Sequence, residues 1–514
     1  MKLTSRDSLA LGAICLSALM FGLEISSIPV ILPTLEHVLQ ADFKDMQWIM
    51  NAYTIACTTV LMATGTLADR FGRRLVFAIT VAAFGVTSLM CGLAPNTTVL
   101  IASRFLQGMA GGAMFICSIA ILSHQFQDAK ARGSAFAVWG VISGIGLGFG
   151  PIIGGMIVAL STWQWVFLVH APLALLCLAL TFISVGESRD PQAKKLDLPG
   201  IVILSAAVFG LTYYITQGAD LGFLSPTALA IAAATLIGLI AFVAVERLHP
   251  HPMFDFSVFR IRDFSGAIVG CVGMNFSYWP FMVYMPIYFT AGLGYDSTET
   301  GLAVLAYTVP FLVMSPVAQY LLLRTSPRVV IPLGLFTIGL GFIAMWLGSP
   351  VEGASGLTVL PGALIAGIGL GLTTTPATNM TTGSVPASRA GMASGIDASA
   401  RLIALAVNIA VMGFVLVEGI LAGLRDALPG TADGGQLRAL AERIAAGGAI
   451  DGTQGALDVP ADIAHAALVN GFHWVMLYGG IGVWVLAAIS FALFGAGKSS
   501  GLPEPRPENR VAAH

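Results

Sequence analysis

About fourteen apolar segments, each long enough to cross a lipid bilayer, follow one another along this chain of 514 residues. A hydrocarbon core of ~30 Å needs about 20 consecutive apolar residues in a helix, so each segment predicts a transmembrane helix. Only 10% of the residues are charged, which agrees with an all-α membrane protein. The predicted spans are 9–33, 47–67, 75–93, 98–122, 133–159, 164–186, 199–217, 226–246, 264–289, 299–323, 329–348, 357–380, 390–417 and 468–495.

The basic residues predict the orientation of these spans. Of the 25 Lys and Arg residues, most fall in loops on the side of the chain termini. The opposite loops hold four, namely Lys44, Arg425, Arg438 and Arg443. Because positive loops stay in the cytoplasm, we expect a multi-pass protein of the cytoplasmic (inner) membrane with both termini inside.

The hydrophilic segments predict the domain organisation. Residues 1–186 form one six-helix half, 187–263 hold two inserted helices with flanking cytoplasmic loops, and 264–497 form the second half. Residues 498–514 are a polar cytoplasmic tail. The long external segment 418–465 is either a small external helix or a docking surface for a periplasmic adapter protein.

Several classes of function find no support in the sequence. A net charge of −2 without a basic block argues against nucleic acid. The six cysteines lie in apolar runs without metal-ligand spacing, and His124 and His170 are isolated in the sequence. We find no nucleophile–base pair, cofactor motif or phosphate-binding loop, so we expect a secondary transporter of small molecules that is driven by an ion gradient.

Glu24 is the single charged residue of the first span. A charged side chain at the membrane centre costs roughly 2.5–3.5 kcal/mol, so such residues usually face a partner or a wet cavity. Met20 and Ser27 lie on the same helical stripe as Glu24. The sequence predicts that this carboxyl group faces a cavity or a partner, and the alternative is a buried glutamate paired once and kept for packing.

Arg104 and Gln107 share one stripe of the fourth span, in LIASRFLQGMAGG. With a rise of about 1.5 Å per residue, Arg104 lies at about the depth of Glu24. Since pairing relieves the cost of both charges, we expect the two to meet across a central cavity. The alternative is that Arg104 extends outward to the membrane interface.

The turn GTLADRFGRR follows the second span. Its charges could latch a cytoplasmic gate by pairing with neighbouring helix ends, or could merely enforce orientation. The predicted gate residues are Gly65, Asp69, Arg70, Gly72, Arg73 and Arg74.

The fifth span is rich in glycine, and its glycines form two ridges. One ridge holds Gly140, Gly144 and Gly148, and the other holds Gly146, Gly150 and Gly154. Bare ridges allow the backbone of a neighbouring helix to approach closely, which simple tight packing also explains. Pro151 and Gly155 complete the motif.

These motifs resemble those of the major facilitator superfamily. GTLADRFGRR resembles its signature loop, and the stretch around Arg104 resembles its RxxQGxG motif, in which the arginine is implicated in proton handling. The GxxxGPxxGG pattern of the fifth span resembles the motif of its antiporters. Five further segments resemble the fourteen-helix drug:proton antiporter branch of multidrug exporters, namely LEISSIPVILP, WIMNAY, WQWVFLVHAP, PIYFTAGLGYDSTETGL and AGMASGIDASAR.

The resemblance implies a proton-coupled antiporter that exports lipophilic, cationic drugs or toxic compounds by alternating access, with Glu24 and Arg104 as its proton-coupling residues. Alternatives are a dedicated exporter of one metabolite or lipid, a proton-coupled uptake symporter and a non-transporting interaction partner. Two positions depart from the branch. Glu24 and Pro29 stand where it usually has aspartate and asparagine, and Asp397 stands where an uncharged polar residue is more usual.

Asp397 and Arg401 lie one turn apart, so a local ion pair and a second proton site are both open. The ninth span is crowded with aromatic residues and methionines, which form either an interfacial belt or an adaptable wall for bulky substrates. The predicted substrate-cavity residues are Met20, Asn51, Tyr53, Gln107, Asn275, Tyr278, Tyr284 and Arg401.

Overall fold

A computed structural model describes residues 4–126, 129–189, 197–248, 256–349, 355–385, 390–428, 434–447 and 459–495. Every regular element in these ranges is a helix, which confirms the all-α prediction. Two short pieces depart from α geometry, a 3₁₀ helix at Phe256–Arg260 and a π-helical turn at Tyr288–Gly292. The predicted tail 498–514 lies outside the described residues.

The α-helices are, in chain order, α1 (Ser5–Leu39), α2 (Phe43–Phe71), α3 (Arg73–Gly92), α4 (Thr97–Gln125), α5 (Ala129–Leu160), α6 (Gln164–Leu168), α7 (His170–Ser184), α8 (Leu198–Leu221), α9 (Pro226–Leu248), α10 (Arg262–Phe276), α11 (Tyr278–Ile287), α12 (Ser297–Arg324), α13 (Pro327–Gly348), α14 (Gly356–Gly383), α15 (Ala390–Ala427), α16 (Gly434–Ala446) and α17 (Ala461–Phe494).

Twelve helical segments within the described residues are long and apolar enough to cross a membrane, so the predicted count of fourteen is not confirmed. The predicted spans 47–67 and 264–289 correspond to α2 and to α10–α11, which are not among the twelve. The second of these breaks at Ser277. Pro280 explains the break, because it has no N–H to donate to the carbonyl of the residue four positions earlier.

The helices run antiparallel between two faces of the bundle. We call the end at which α1 begins and α17 ends the terminal face. There, Arg6 Nε donates to the Ser184 carbonyl over 3.0 Å, and Ser490 Oγ donates to the Gly266 carbonyl over 2.8 Å. These bonds tie the start of α1 to the end of α7, and the end of α17 to the start of α10.

Helices pack within and between the two predicted halves. In the first, α1 lies on α5 and α2 on α4; in the second, α14 lies against both α12 and α13. The halves meet where α5 packs on α12 and where α2 packs on α15. The helices α8 and α9 contact each other, and α8 also contacts α2 and α15. The boundaries at 186 and 264 stay predictions.

The face opposite the terminal face is closed by contacts between the halves. The rings of Phe43 on α2 and Tyr284 on α11 lie 5.9 Å apart. The segment predicted to be external contains the helix α16, whose Leu437, Leu440 and Ile444 are buried against the bundle. Its apolar face is therefore occupied by this chain, and an adapter-binding role for 418–465 stays a prediction.

Candidate proton and substrate site

Glu24 on α1 and Arg104 on α4 form an ion pair between Oε1 and Nη1. Both side chains are 0% exposed, so Arg104 does not extend outward to the interface. The expected contact is therefore present. The pair joins α1 and α4, two contacting helices of the same predicted half, and does not span a cavity between the halves.

Arg104 has further partners besides Glu24. Its Nε donates to the Ile49 carbonyl over 3.1 Å, and its Nη1 donates to Gln107 Oε1 over 2.7 Å. The Tyr53 ring lies 4.3 Å from the guanidinium carbon, a cation–π contact. Gly108 allows this approach, because a Cβ there would clash with the Tyr53 backbone. The guanidinium therefore keeps several contacts when Glu24 is neutral.

His170, the first residue of α7, also reaches Glu24. Its Nδ1 lies 3.4 Å from Glu24 Oε2, and its side chain is only 1% exposed. The ring stands edge-on to Phe84 at 5.5 Å. His170, which is isolated in the sequence, is therefore brought beside Glu24 by the packing of α7 on α1. Matching depths would have found it, since His170 and Arg104 are a similar number of residues from the outer ends of their spans.

The glycine ridges of α5 contact two different helices. A Cβ on Gly146 would lie 2.8 Å from the Leu19 carbonyl of α1, and Gly150 and Gly154 face Ser26 and Ser27. The other ridge faces the second half, where Leu312 of α12 packs on Gly144 and Gly148.

Thr308 of α12 donates to the Gly148 carbonyl over 2.8 Å and adds a hydrogen bond to this contact. Pro151 and Gly155 are buried. The helix α5 therefore joins the Glu24 helix to the opposite half of the protein.

A narrow cavity lies beside Arg104, between the two halves. Its wall is apolar except for a few groups and is formed by Ile25, Ser26, Pro29, Met50, Tyr53, Thr54, Arg104, Trp279, Met282, Val283, Leu405 and Ile409. Trp279, Met282 and Val283 come from α11, so part of the aromatic and methionine-rich ninth span does form a cavity wall.

Tyr53 is the predicted cavity residue that lines this space. Six others are buried away from it in this conformation, namely Met20, Asn51, Gln107, Asn275, Tyr278 and Tyr284. Tyr278 donates a hydrogen bond to the Tyr307 carbonyl over 2.6 Å, and Tyr284 donates one to the Ile409 carbonyl. Their assignment to substrate stays a prediction.

Asp397 and Arg401 form the local pair that their spacing allows, with Nε and Oδ1 2.9 Å apart. The arginine also donates to Thr378 Oγ1 over 2.9 Å and contacts Cys271 Sγ at 3.0 Å. The side chains are 19% (Arg401) and 8% (Asp397) exposed, and Arg401 does not line the cavity. A second proton site at Asp397 stays a prediction.

The predicted gate loop is organised by Glu187, which the sequence reasoning missed. Its carboxylate accepts the backbone N–H groups of Arg74 and Leu75, each over 3.2 Å, and so caps α3. Gly72 has a φ of +118°, and a Cβ there would meet this carboxylate at 2.6 Å. Only glycine suits such a turn.

The arginines of the loop lie near the same helix end. The Arg73 N–H donates to the Ser188 carbonyl over 2.9 Å, and Arg74 lies over the Phe182 ring at 5.3 Å. The guanidinium carbon of Arg70 lies 5.5 Å from the Phe71 ring. The side-chain environments at Gly65 and Asp69 lie outside the described residues. The latch role stays a prediction.

Comparison with known proteins identifies the family. The sequence profile of the Major Facilitator Superfamily matches residues 14–408. The chain is 32% identical over 420 residues to the multidrug resistance protein Stp of Mycobacterium tuberculosis, covering 82% of this chain and 78% of that protein. It is 31% identical to the puromycin resistance protein pur8 of Streptomyces alboniger, covering 81% and 83% of the two chains.

Solved structures share the fold at low identity. A POT family transporter in complex with 5-aminolevulinic acid aligns with a TM-score of 0.64 and 16% identity, over 93% of this chain and 94% of that one. A bacterial homolog of the human lysosomal transporter Spinster aligns with a TM-score of 0.61 and 16% identity, over 96% and 98%.

The protein is thus a multi-pass membrane transporter of small molecules and not an enzyme. The chain belongs to the major facilitator superfamily.

Proposed function

We propose that the protein exports lipophilic, cationic compounds from the cytoplasm in exchange for protons. The names of its relatives support export of toxic compounds, since they describe resistance to multiple drugs, to puromycin and to tetracenomycin C. The observation that carries the proposal is Glu24, a fully buried carboxylate whose partner Arg104 lines an apolar cavity. The exchange needs no cofactor, because the proton gradient supplies the energy.

Substrate and proton compete for this one carboxylate. Burial favours the neutral carboxyl group, whereas a nearby cation favours the ionised form. A bound substrate cation therefore promotes release of a proton, and a bound proton promotes release of the cation. Arg104 can leave Glu24 during this cycle because the Ile49 carbonyl, Gln107 and the Tyr53 ring remain in contact with it.

The cavity wall fits lipophilic compounds of varied shape. Met50, Trp279 and Met282 offer large apolar side chains, and the methionines are flexible enough to adapt to different ligands. Alternating access then follows from movement of the halves. We assign the terminal face to the cytoplasm and propose that substrate enters from that face, while Phe43 and Tyr284 lie in contact near the opposite one.

Purified protein in liposomes tests the proposal with ethidium, a lipophilic aromatic cation. When the vesicle interior is made acidic, protons leave and an antiporter accumulates ethidium, whichever way the protein is inserted. Glu24→Gln should abolish this accumulation. Glu36→Gln is the matched control, because Glu36 lies on the same helix but is only half-buried and outside the site.

Two results would contradict the proposal. Accumulation by Glu24→Gln at the rate of the unmodified protein would remove the carboxylate from the mechanism. Loss of preloaded ethidium from acidic vesicles, faster than from protein-free liposomes, would indicate an uptake symporter instead. Failure with every lipophilic cation, combined with transport of one neutral metabolite or lipid, would favour the dedicated exporter.

A further inference from the structure

Several buried polar atoms of the Glu24 site make no hydrogen bond within the described part of the chain. Besides Arg104 Nη2 and the Tyr53 hydroxyl, they include Glu24 Oε2 and His170 Nε2. A buried polar group without a hydrogen-bond partner is unfavourable, so such atoms need an explanation. Since Arg104 occupies Oε1, the second oxygen is the one at which a proton can add.

The position of the His170 ring assigns its hydrogen. Nδ1 lies 3.4 Å from Glu24 Oε2 and 3.3 Å from the Phe167 carbonyl oxygen. Both neighbours are acceptors, so Nδ1 carries the hydrogen and Nε2 of the neutral ring keeps a lone pair. Imidazole exchanges protons near neutral pH. The ring can therefore accept a proton at one nitrogen and donate one at the other.

We propose that His170 relays protons to and from Glu24, a role that rests on the proton exchange proposed above. A proton binds Nε2, the Nδ1–H bond breaks, and the Nδ1 proton passes to Glu24 Oε2. The products are a neutral carboxyl group and a neutral ring that carries its hydrogen on Nε2. The reverse transfer releases the proton from Nε2 when a substrate cation arrives.

The charges around the ring are compatible with this step. Glu24 on α1 and Arg104 on α4 are the ionised groups, and the Tyr53 phenol of α2 and the Cys91 thiol of α3 belong to the Arg104 surroundings. The part of α5 over 138–160 carries no titratable side chain. One added proton leaves the positive charge on Arg104 uncompensated, which opposes simultaneous binding of a cation.

Two variants separate a proton relay from simple positioning of Glu24. His170→Asn keeps an amide N–H that can donate a hydrogen bond to Glu24, but an amide cannot relay a proton from one side of the group to the other. His170→Ala removes both the hydrogen-bond donor and the relay. His473→Asn is the control, because His473 also lies in a span but contacts the neutral Ser349. Each variant is measured for ethidium accumulation driven by a pH gradient, and for ethidium–ethidium exchange at equal pH, which moves no net proton.

We expect the gradient-driven transport rate of His170→Asn to be at least about tenfold lower than that of the unmodified protein. This loss is smaller than the rate enhancement that acid–base catalysis usually gives. The ethidium–ethidium exchange of His170→Asn should stay within about twofold of the unmodified protein, because the carboxylate remains held. His473→Asn should retain both activities. Gradient-driven transport by His170→Asn at the unmodified rate would overturn the relay, and loss in His170→Ala alone would indicate positioning.

Failure of the proposed function looks different, because the unmodified protein would then show no gradient-driven accumulation or Glu24→Gln would retain it. If the His170 variants do not fold, ¹⁵N-histidine NMR of the unmodified protein decides. Adding ethidium at a pH where Glu24 holds its proton should convert one of the eight histidines from the Nε2–H to the Nδ1–H tautomer. A spectrum in which no histidine changes tautomer would overturn the relay.

Discussion

Among the described residues, two acid–arginine pairs lie within the membrane-spanning helices, one in each predicted half, and they are built differently. Glu24 and Arg104 come from different helices and are completely buried. Asp397 and Arg401 are one turn apart on a single helix, and the arginine is 19% exposed. The first pair exists only when α1 and α4 are packed together, whereas the second forms wherever α15 is helical.

This difference separates a site of exchange from a local stabilising contact. A buried ion pair must offset the cost of removing both charges from water, so it is sensitive to any change in either partner. Glu24 also has His170 and a cavity nearby, while the described contacts of Arg401 are to Asp397, Thr378 and Cys271. The proposed proton exchange is therefore better suited to the Glu24–Arg104 pair than to the Asp397–Arg401 pair.

The largest difference between the two pairs is expected when the arginine of each pair is replaced. Arg104→Ala leaves Glu24 buried without its cation, which should destabilise the protein by about 3–5 kcal/mol and abolish gradient-driven transport. Arg401→Ala should cost less, about 1 kcal/mol, because that pair is local to one turn of α15 and its arginine is 19% exposed. Thermal unfolding in detergent and ethidium accumulation measure both effects, and equal destabilisation by the two variants would remove the contrast.

The second-largest effect is expected when the close packing of α1 on α5 is disturbed. Gly146→Ala places a Cβ 2.8 Å from the Leu19 carbonyl, so α1 must shift. Overpacking of this kind costs about 1–3 kcal/mol, and displacement of Glu24 should also slow transport. Gly140→Ala is the matched control on the same helix, since nothing lies within 4 Å of its added Cβ. Indistinguishable unfolding temperatures for the two variants would show that this packing is dispensable.

The smallest effect is expected from neutralising the local acid. Asp397→Asn keeps the size of the side chain and can still accept a hydrogen bond from Arg401. The loss should be about 0.3–1 kcal/mol, typical of a helical pair with access to water, and proton coupling should persist. The ratio of protons to ethidium moved in liposomes checks this prediction, and a lower ratio would make Asp397 a second proton site.

The predictable parts of the site follow from local helix geometry or from the high cost of an unpaired buried charge. The parts that the sequence misses are contacts that depend on how distant segments pack together. Helix length and polarity predict the spans, and the cost of unpaired charge leads to the pairing of Glu24 with Arg104. The break at Ser277 is harder to foresee, since the ninth span contains two prolines and α11 runs through the second. Glu187 and His170 come from segments distant in sequence, and an isolated histidine carries no local signal.

The central claim is that one buried carboxylate exchanges a proton for a substrate cation. The most direct measurement adds ethidium to detergent-solubilised protein in weakly buffered solution, at a pH where Glu24 holds its proton, and counts the protons released. The account predicts release of about one proton per ethidium bound by the unmodified protein, as expected when two ligands compete for one group. It predicts none from Glu24→Gln. Equal release from the two proteins would contradict it.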